Sequence, residues 1–485
     1  MKNNNNLKAK TISGLFWSFS NLILNQGIQF IIQIFLARLL MPKEFGLIGM
    51  ITVFIAISNS IVDSGFKNAL VREDNPTKED YSTVFYFNLL TSIILYIILY
   101  ILSPRISTFF GQPELKSILR VLALTLIINS FGIIQRTILI RNINFKIQTS
   151  INITSSIISG GIAIFLAYKG FGVWSLVFRT LIMQTIQSVL LTFCNNWKPM
   201  LVFNINSFKK LFDFGWKLLV SGLIDTLYNN LYYLVIGRFY SATDLGYYTN
   251  AQKFRDTLAT SISGSVQSVT YPALSSIKND HVKLRDVYKK IIKISVYINF
   301  PVMIGLAAIA KPLILVLFGE NWSNSIVYFQ ILCIGGMLYP LHAINLNILQ
   351  VRGRSDLFLK LEIIKKIIGV SLCIMAIVSG WGIIGLIWML AISSFISFII
   401  NSYYSKDIIN YSTFDQIKDI SLMFLITILM FTITYFSGEI LLCPNIIKLI
   451  VQICIGILSY IILSLIFKIQ EFFEILKLVK KFSKK

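Results

Sequence analysis

Inside an otherwise hydrocarbon-like segment, polar side chains recur every fourth residue: Asn21, Asn25, Gln29 and Gln33. That spacing lines them along one face of a helix. Two hundred positions later Ser221, Asp225, Asn229 and Tyr233 repeat the pattern. The flanking motifs hold the same register, with Arg38, Glu44 and Gly46 of "ARLLMPKEFG" against Arg238, Asp244 and Gly246 of "GRFYSATDLG". An unpaired amide or carboxylate is costly in hydrocarbon, so each face must meet protein or water. Interhelical hydrogen bonds acting as glue are one reading, and a wet cleft between two bundles is the other. The duplicated stripe favours the cleft, because glue needs no equivalent position in the other half. Asn25, Gln29, Asp225 and Asn229 are therefore candidate substrate-binding residues.

Charged groups at depth are the second signal. Lys253, Arg255 and Asp256 stand in the least apolar of the long segments, ahead of Ser261, Ser265 and Ser268 at helical spacing, with Pro272 expected to end it. A cation in a partly dry cavity suits a phosphate or diphosphate headgroup. Lys253 and Asp256 are three apart and can neutralise each other, which leaves Arg255 as the less accounted-for charge. Arg179 is a weaker candidate, as is Arg120, which can snorkel to outer headgroups. Asp225 lies eight residues beyond Lys217, about 12 Å along a helix, near the midplane. There it could hold Na⁺ or a proton, or form a fixed salt bridge to Lys253 or Arg255, and the sequence leaves both open. Asp63 reads as ordering the loop after it.

Other chemistry has little support. The two histidines, His281 and His342, are far apart, and the five cysteines are scattered singly with no metal or disulfide spacing. No cofactor is expected beyond a coupling ion.

The elements that must position these residues are membrane helices. The chain has 485 residues, 55% hydrophobic and only 14% charged, with a mean hydropathy of +0.72. About fourteen stretches reach the roughly 20 apolar residues that a spanning helix needs. They include 11–38, 216–238, 246–271, 357–379, 417–437 and 446–467. The first is longer than a signal-peptide core of about 7–15 residues and is kept as a span. The expected architecture is an all-α integral membrane protein with two six-helix lobes, 1–203 and 204–405, followed by two extra helices and a basic tail, 406–485. An even number of spans per half makes this a parallel repeat. The last two spans have no counterpart in the repeat and read as an appendage. Between the halves, Phe208, Leu211, Phe212 and Trp216 beside Lys209, Lys210 and Lys217 suit a short helix lying at the inner headgroup level.

A formal net charge of +22 invites nucleic acid, but the charges alternate from connection to connection. Lys67, Arg72 and Lys78; Arg136, Arg141 and Lys146; Lys198, Lys209, Lys210 and Lys217; and the tail with Lys477, Lys480 and Lys481 all fall on one side. That is the positive-inside pattern, which puts both termini in the cytoplasm and makes anionic membrane lipids, not nucleic acid, the partner.

The motifs "GLFWSFSN", "FLARLLMPKEFGLIGM" and "DSGFKNALVRE" resemble the opening of the Wzx-type polysaccharide exporters, in the lipopolysaccharide, capsule and teichuronic-acid branch. The resemblance implies the multidrug/oligosaccharidyl-lipid/polysaccharide exporter fold. It also implies a non-enzymatic function, flipping an undecaprenyl-diphosphate-linked oligosaccharide across the bacterial plasma membrane, in company with other glycan assembly proteins. A drug or cation exporter of the same fold would favour an acidic, aromatic-lined pocket. A membrane polymerase would need a large outer loop, and the connection from Ser103 to Lys116 is short. A non-transporting scaffold of a glycan assembly complex remains the third alternative.

Overall fold

A computed structural model describes residue 17 and residues 24–482, without the side chains of 260, 262, 265, 268, 269 and 478–482. The N-terminal part of the expected first span, 11–16 and 18–23 with Asn21, therefore lies outside the described residues. No strand occurs among the described residues. Packing divides the chain into two units, Met1–Thr249 and Asn250–Lys485. Among the described residues ten helical segments are long and apolar enough to cross a membrane.

Unit 1 comprises α1 (24–39), α2 (Pro42–Asp63), α3 (Phe66–Arg72), α4 (Lys78–Phe110), α5 (Leu115–Leu122), α6 (Leu124–Arg141), α7 (Phe145–Tyr168), α8 (Val173–Phe193), α9 (Ile205–Asn229) and α10 (Leu231–Phe239). It also takes in the first turns of α11 (Ala242–Ser276). Helix starts follow local chemistry. The Thr77 hydroxyl accepts from the Asp80 amide at 3.1 Å while the Asp80 carboxylate accepts from the Thr77 amide at 2.8 Å, which opens α4. Gly111, at φ 64°, closes it. The matched acids of the repeat do the same work, Glu44 accepting from the Met41 amide at 2.7 Å and Asp244 from the Ser241 hydroxyl at 2.7 Å. Their recurrence is a capping requirement.

The duplicated motifs also meet each other. A Cβ on Gly46 would fall 1.7 Å from the Ala242 carbonyl oxygen, and one on Gly246 would fall 1.8 Å from that of Pro42. Only glycine lets α2 and α11 cross backbone on backbone there.

The aromatic segment after Asn204 is not a separate interfacial helix, because α9 runs unbroken from Ile205. Phe208 stacks on Phe212 at 5.4 Å, and both rings lie on Phe66. Leu211 is buried with Leu70, Val84 and Ile134. Burying this aromatic face against α3, α4 and α6 outweighs leaving it among headgroups. Lys210 is tied to Glu73 at 2.7 Å, and hydrogen bonding to that carboxylate raises the ammonium above its usual range.

Unit 2 continues with α12 (His281–Ala308), α13 (Ala310–Phe318), α14 (Ser325–Gly336), α15 (Tyr339–Val351), α16 (Ser355–Val378), α17 (Gly382–Ser402), α18 (Ser405–Ile409), α19 (Thr413–Ile440), α20 (Asn445–Ile466) and α21 (Gln470–Phe482). Helix α11 passes through Pro272 to Ser276 instead of ending at the proline. Helices α19 and α20 are core elements and not an appendage. Gln416 of α19, fully buried, donates to Asn345 Oδ1 at 3.2 Å and Ser405 Oγ at 3.0 Å, and Tyr288 donates to that same Asn345 oxygen. Asp419 takes Lys289 at 2.8 Å and the Tyr411 hydroxyl at 2.7 Å. On α20, Tyr460 donates to the Tyr297 carbonyl at 2.9 Å. These bonds fix the last helices to α12.

The glycine crossing makes a prediction. Gly46→Val should lower the melting temperature in detergent, by the about 1–3 kcal/mol typical of overpacking or more. Gly161→Val, where a Cβ meets nothing within 4 Å, should change it little. Equal melting temperatures for both variants and the wild type would show that α2 and α11 do not pack this closely.

Candidate functional site

Helix α9 is amphipathic with both faces exposed. Val220, Ile224 and Leu227 are 45%, 49% and 47% exposed on one side. Ser221, Asp225 and Asn229, on the other, are exposed as well. Within the helix only Leu211 and Gly215 are buried. The apolar side suits acyl chains, and the exposed carboxylate and amide suit water or a polar ligand.

The matching stripe on α1 behaves differently. Asn25 Oδ1 accepts from Ser156 Oγ of α7 at 2.9 Å and from Gln29 Nε2 at 3.4 Å. Both side chains are partly buried. For Asn25 the interhelical glue reading therefore holds.

On α11 the charges are rearranged relative to the sequence reading. Arg255 is 1% exposed, with Nε 2.8 Å from Asp256 Oδ1. Its Nη1 donates to the Tyr339 hydroxyl, and the guanidinium lies 4.9 Å from the Tyr339 ring centroid. Gly336 leaves the room, since a Cβ there would fall 3.0 Å from Arg255 Cδ. Arg255 is thus an accounted-for charge, bonded to Asp256 and Tyr339. A buried cation must take the nearest anion, whereas an exposed one can stay hydrated. Lys253 is exposed. Ser261 is partly buried, and the side chains of Ser265 and Ser268 lie outside the described residues.

Arg120 donates to Ser103 Oγ at 2.8 Å and lies 4.0 Å over the Tyr100 ring. Arg179 sits on α8, partly buried, and among the described residues no hydrogen bond or ion pair holds its guanidinium. Below it on α8, polar side chains cross to α6 and α2 in two layers. Gln184 donates to Asn129 at 2.6 Å, and Asn129 donates to Asn59 at 3.2 Å. In the second layer Arg136 donates to Gln187 Oε1 at 3.3 Å, near the Asp63 carboxylate. By charge alternation Arg136 belongs to an inner connection. Its spacing of seven from Asn129, one helical face, is the signal that would have found it. Among the described residues no cluster of three His, Cys, Asp or Glu side chains could hold a metal.

The chain is a multi-pass helical membrane protein whose fold matches solved membrane transporters. Lipid II flippase MurJ in an inward closed conformation matches with a TM-score of 0.76 at 18% identity, covering 94% of this chain and 98% of that one. An inward-facing multidrug resistance MATE family transporter of the MOP superfamily matches at 0.61 and 17% identity, covering 81% and 94%. The chain belongs to the polysaccharide biosynthesis protein family, whose profile matches residues 35–327. The teichuronic acid biosynthesis protein TuaB of Bacillus subtilis (strain 168) is 28% identical over 418 residues, 85% of this chain and 86% of that protein. The lipopolysaccharide biosynthesis protein WzxC of Escherichia coli (strain K12) is 25% identical over 387 residues, 79% and 77%.

Breaking the Arg255 pair should destabilise unit 2. Arg255→Gln is expected to lower the melting temperature in detergent by the equivalent of about 3 kcal/mol at most, because Asp256 keeps access to water. Lys253→Gln should leave it unchanged. The reverse order of effects would show that Lys253, not Arg255, is the packed cation.

Proposed function

We propose that this protein carries an undecaprenyl-diphosphate-linked oligosaccharide from the inner to the outer leaflet of a bacterial plasma membrane by alternating access, without making or breaking a bond. The observation that carries this reading is the exposed polar face of α9. Ser221, Asp225 and Asn229 offer hydroxyl, carboxylate and amide groups suited to hydroxyl-rich sugar, while the apolar side of the same helix stays with lipid. The relatives named for teichuronic acid and lipopolysaccharide biosynthesis, and the lipid II flippase fold, support the same substrate class.

Lys253 is the contact we assign to the diphosphate, since it is exposed. Arg255 becomes a positioning residue that holds α11 against α15. Asp225 is the proposed coupling carboxylate for H⁺ or Na⁺. Both termini face the cytoplasm, with the Lys- and Arg-rich connections against anionic headgroups. Glycan assembly proteins on that side would deliver the substrate.

Deleting the gene should abolish surface glycan while lipid-linked oligosaccharide accumulates in the inner leaflet, and the wild-type gene should restore export. Asn229→Leu and Lys253→Gln should each restore at least about tenfold less, with normal membrane insertion. Unchanged export on deletion, or export lost without the intermediate accumulating, would contradict a flippase and favour a scaffold.

A further inference from the structure

One helix follows the last span. Helix α20 has 22 residues, a rise of about 33 Å, which matches the about 30 Å of a hydrocarbon core. By the charge alternation, its end at Ile466 stands at the inner boundary. The chain turns there in a fixed way. Lys468 takes the left-handed backbone at φ 50°. Its amide donates to the Leu465 carbonyl at 3.2 Å, and the Ile469 amide donates to that of Ser464 at 3.0 Å. These two bonds close α20 as a Schellman turn, with Ile469 buried beneath it. Helix α21 starts at Gln470, within about 14 Å of Ile466 even along an extended chain. The turn brings it nearer, so α21 begins at headgroup depth.

One side of α21 is taken up by unit 2. Glu471, 7% exposed, lies 3.5 Å from Lys293, and Glu474 lies 2.8 Å from Lys290, both lysines on α12. Phe472 and Ile475 pack on the apolar core of the unit. The opposite side is open. Phe473 and Leu476 are 41% and 39% exposed, and Lys477 is exposed beside them, as is Lys468 in the turn. Positions 473, 476 and 477 share one helical face. The charges are therefore sorted. Both carboxylates of α21 turn to α12, and the open face carries apolar and cationic groups alone. Further lysines, Lys480, Lys481, Lys484 and Lys485, follow in the sequence.

An aromatic ring, a leucine and an ammonium on one face at headgroup depth fit an anionic leaflet. The apolar groups reach the acyl boundary and the cation meets lipid phosphate. A protein partner would favour a face poor in lysine. We propose that α21 is an anionic-lipid anchor: Phe473 and Leu476 enter the inner leaflet, Lys477 meets its phosphates, and the pairs to Lys290 and Lys293 pass that hold to α12. The proposal needs no assumption about the cargo.

Spectroscopy in defined lipid tests it. In full-length protein with its five native cysteines replaced, a nitrobenzoxadiazole label on Leu476→Cys reports the surroundings of the open face. Phe473→Cys serves as the second position should the first variant fold poorly. In nanodiscs, quenching by a lipid with a nitroxide near its headgroup should be at least about twofold stronger with phosphatidylglycerol than with phosphatidylcholine alone. Lys477→Gln should lower the docked-to-free ratio about fivefold. Quenching equal in both lipids, or unmoved by Lys477→Gln, overturns the anchor. Shielding of the label that appears only on adding cytosolic protein overturns it in favour of a protein partner. The hold on α12 has its own readout. Phosphatidylglycerol should raise the melting temperature of the wild type in nanodiscs, and this gain should shrink in the Glu471→Gln/Glu474→Gln double variant. An undiminished gain overturns the coupling to α12.

Discussion

The structure depends on one constraint: a polar side chain within the hydrocarbon layer must find a partner or water, since nothing else there offsets its desolvation. Two arrangements of polar groups on these helices answer that demand. In unit 2 the groups find each other. Arg255 with Asp256 and Tyr339, Gln416 with Asn345 and Ser405, and Asp419 with Lys289 are bonded sets that fasten α11, α15 and α19. On α9 the side chains of Ser221, Asp225 and Asn229 are exposed beside an equally exposed apolar face. The first solution gives rigidity. The second gives a helix that can handle a ligand with a wet head and an oily tail.

This division bears on mechanism. A transporter that moves a large headgroup needs stiff bodies and a surface that hydrates the cargo. The buried pairs supply stiffness at a cost that only good geometry offsets. The backbone crossing at Gly46 and Gly246 shows the same economy at the repeat motif, where the absence of two side chains lets α2 and α11 approach.

Much of this was legible from spacing. The period-four stripe at 221, 225 and 229 is exposed, and the repeat of Gly46 at Gly246 corresponds to a contact between the two copies. What spacing could not convey is which side chain a neighbour satisfies. Asn25 and Asp225 occupy equivalent places in the repeat, yet Asn25 is partly buried and meets Ser156 of α7 whereas Asp225 is exposed. Arg255 drew attention as an unaccounted charge because Asp256 was assigned to Lys253 at a three-residue spacing. The long arginine side chain is instead buried and takes the adjacent carboxylate. Arg136 was hidden because a positive charge near the end of a span reads as topology. Helices α19 and α20 read as an addition because burial of Gln416 and Tyr460 depends on partners in α12, α15 and α18 that lie far away in sequence.

The central claim is that the polar side of α9 faces water at bilayer depth. Nitroxide labels placed singly at 224, 225, 227 and 229 in protein reconstituted into bilayers in D₂O, read by electron spin echo envelope modulation, measure local water directly. The account predicts deep deuterium modulation at 225 and 229 and shallow modulation at 224 and 227. Uniformly shallow modulation at all four positions would contradict it.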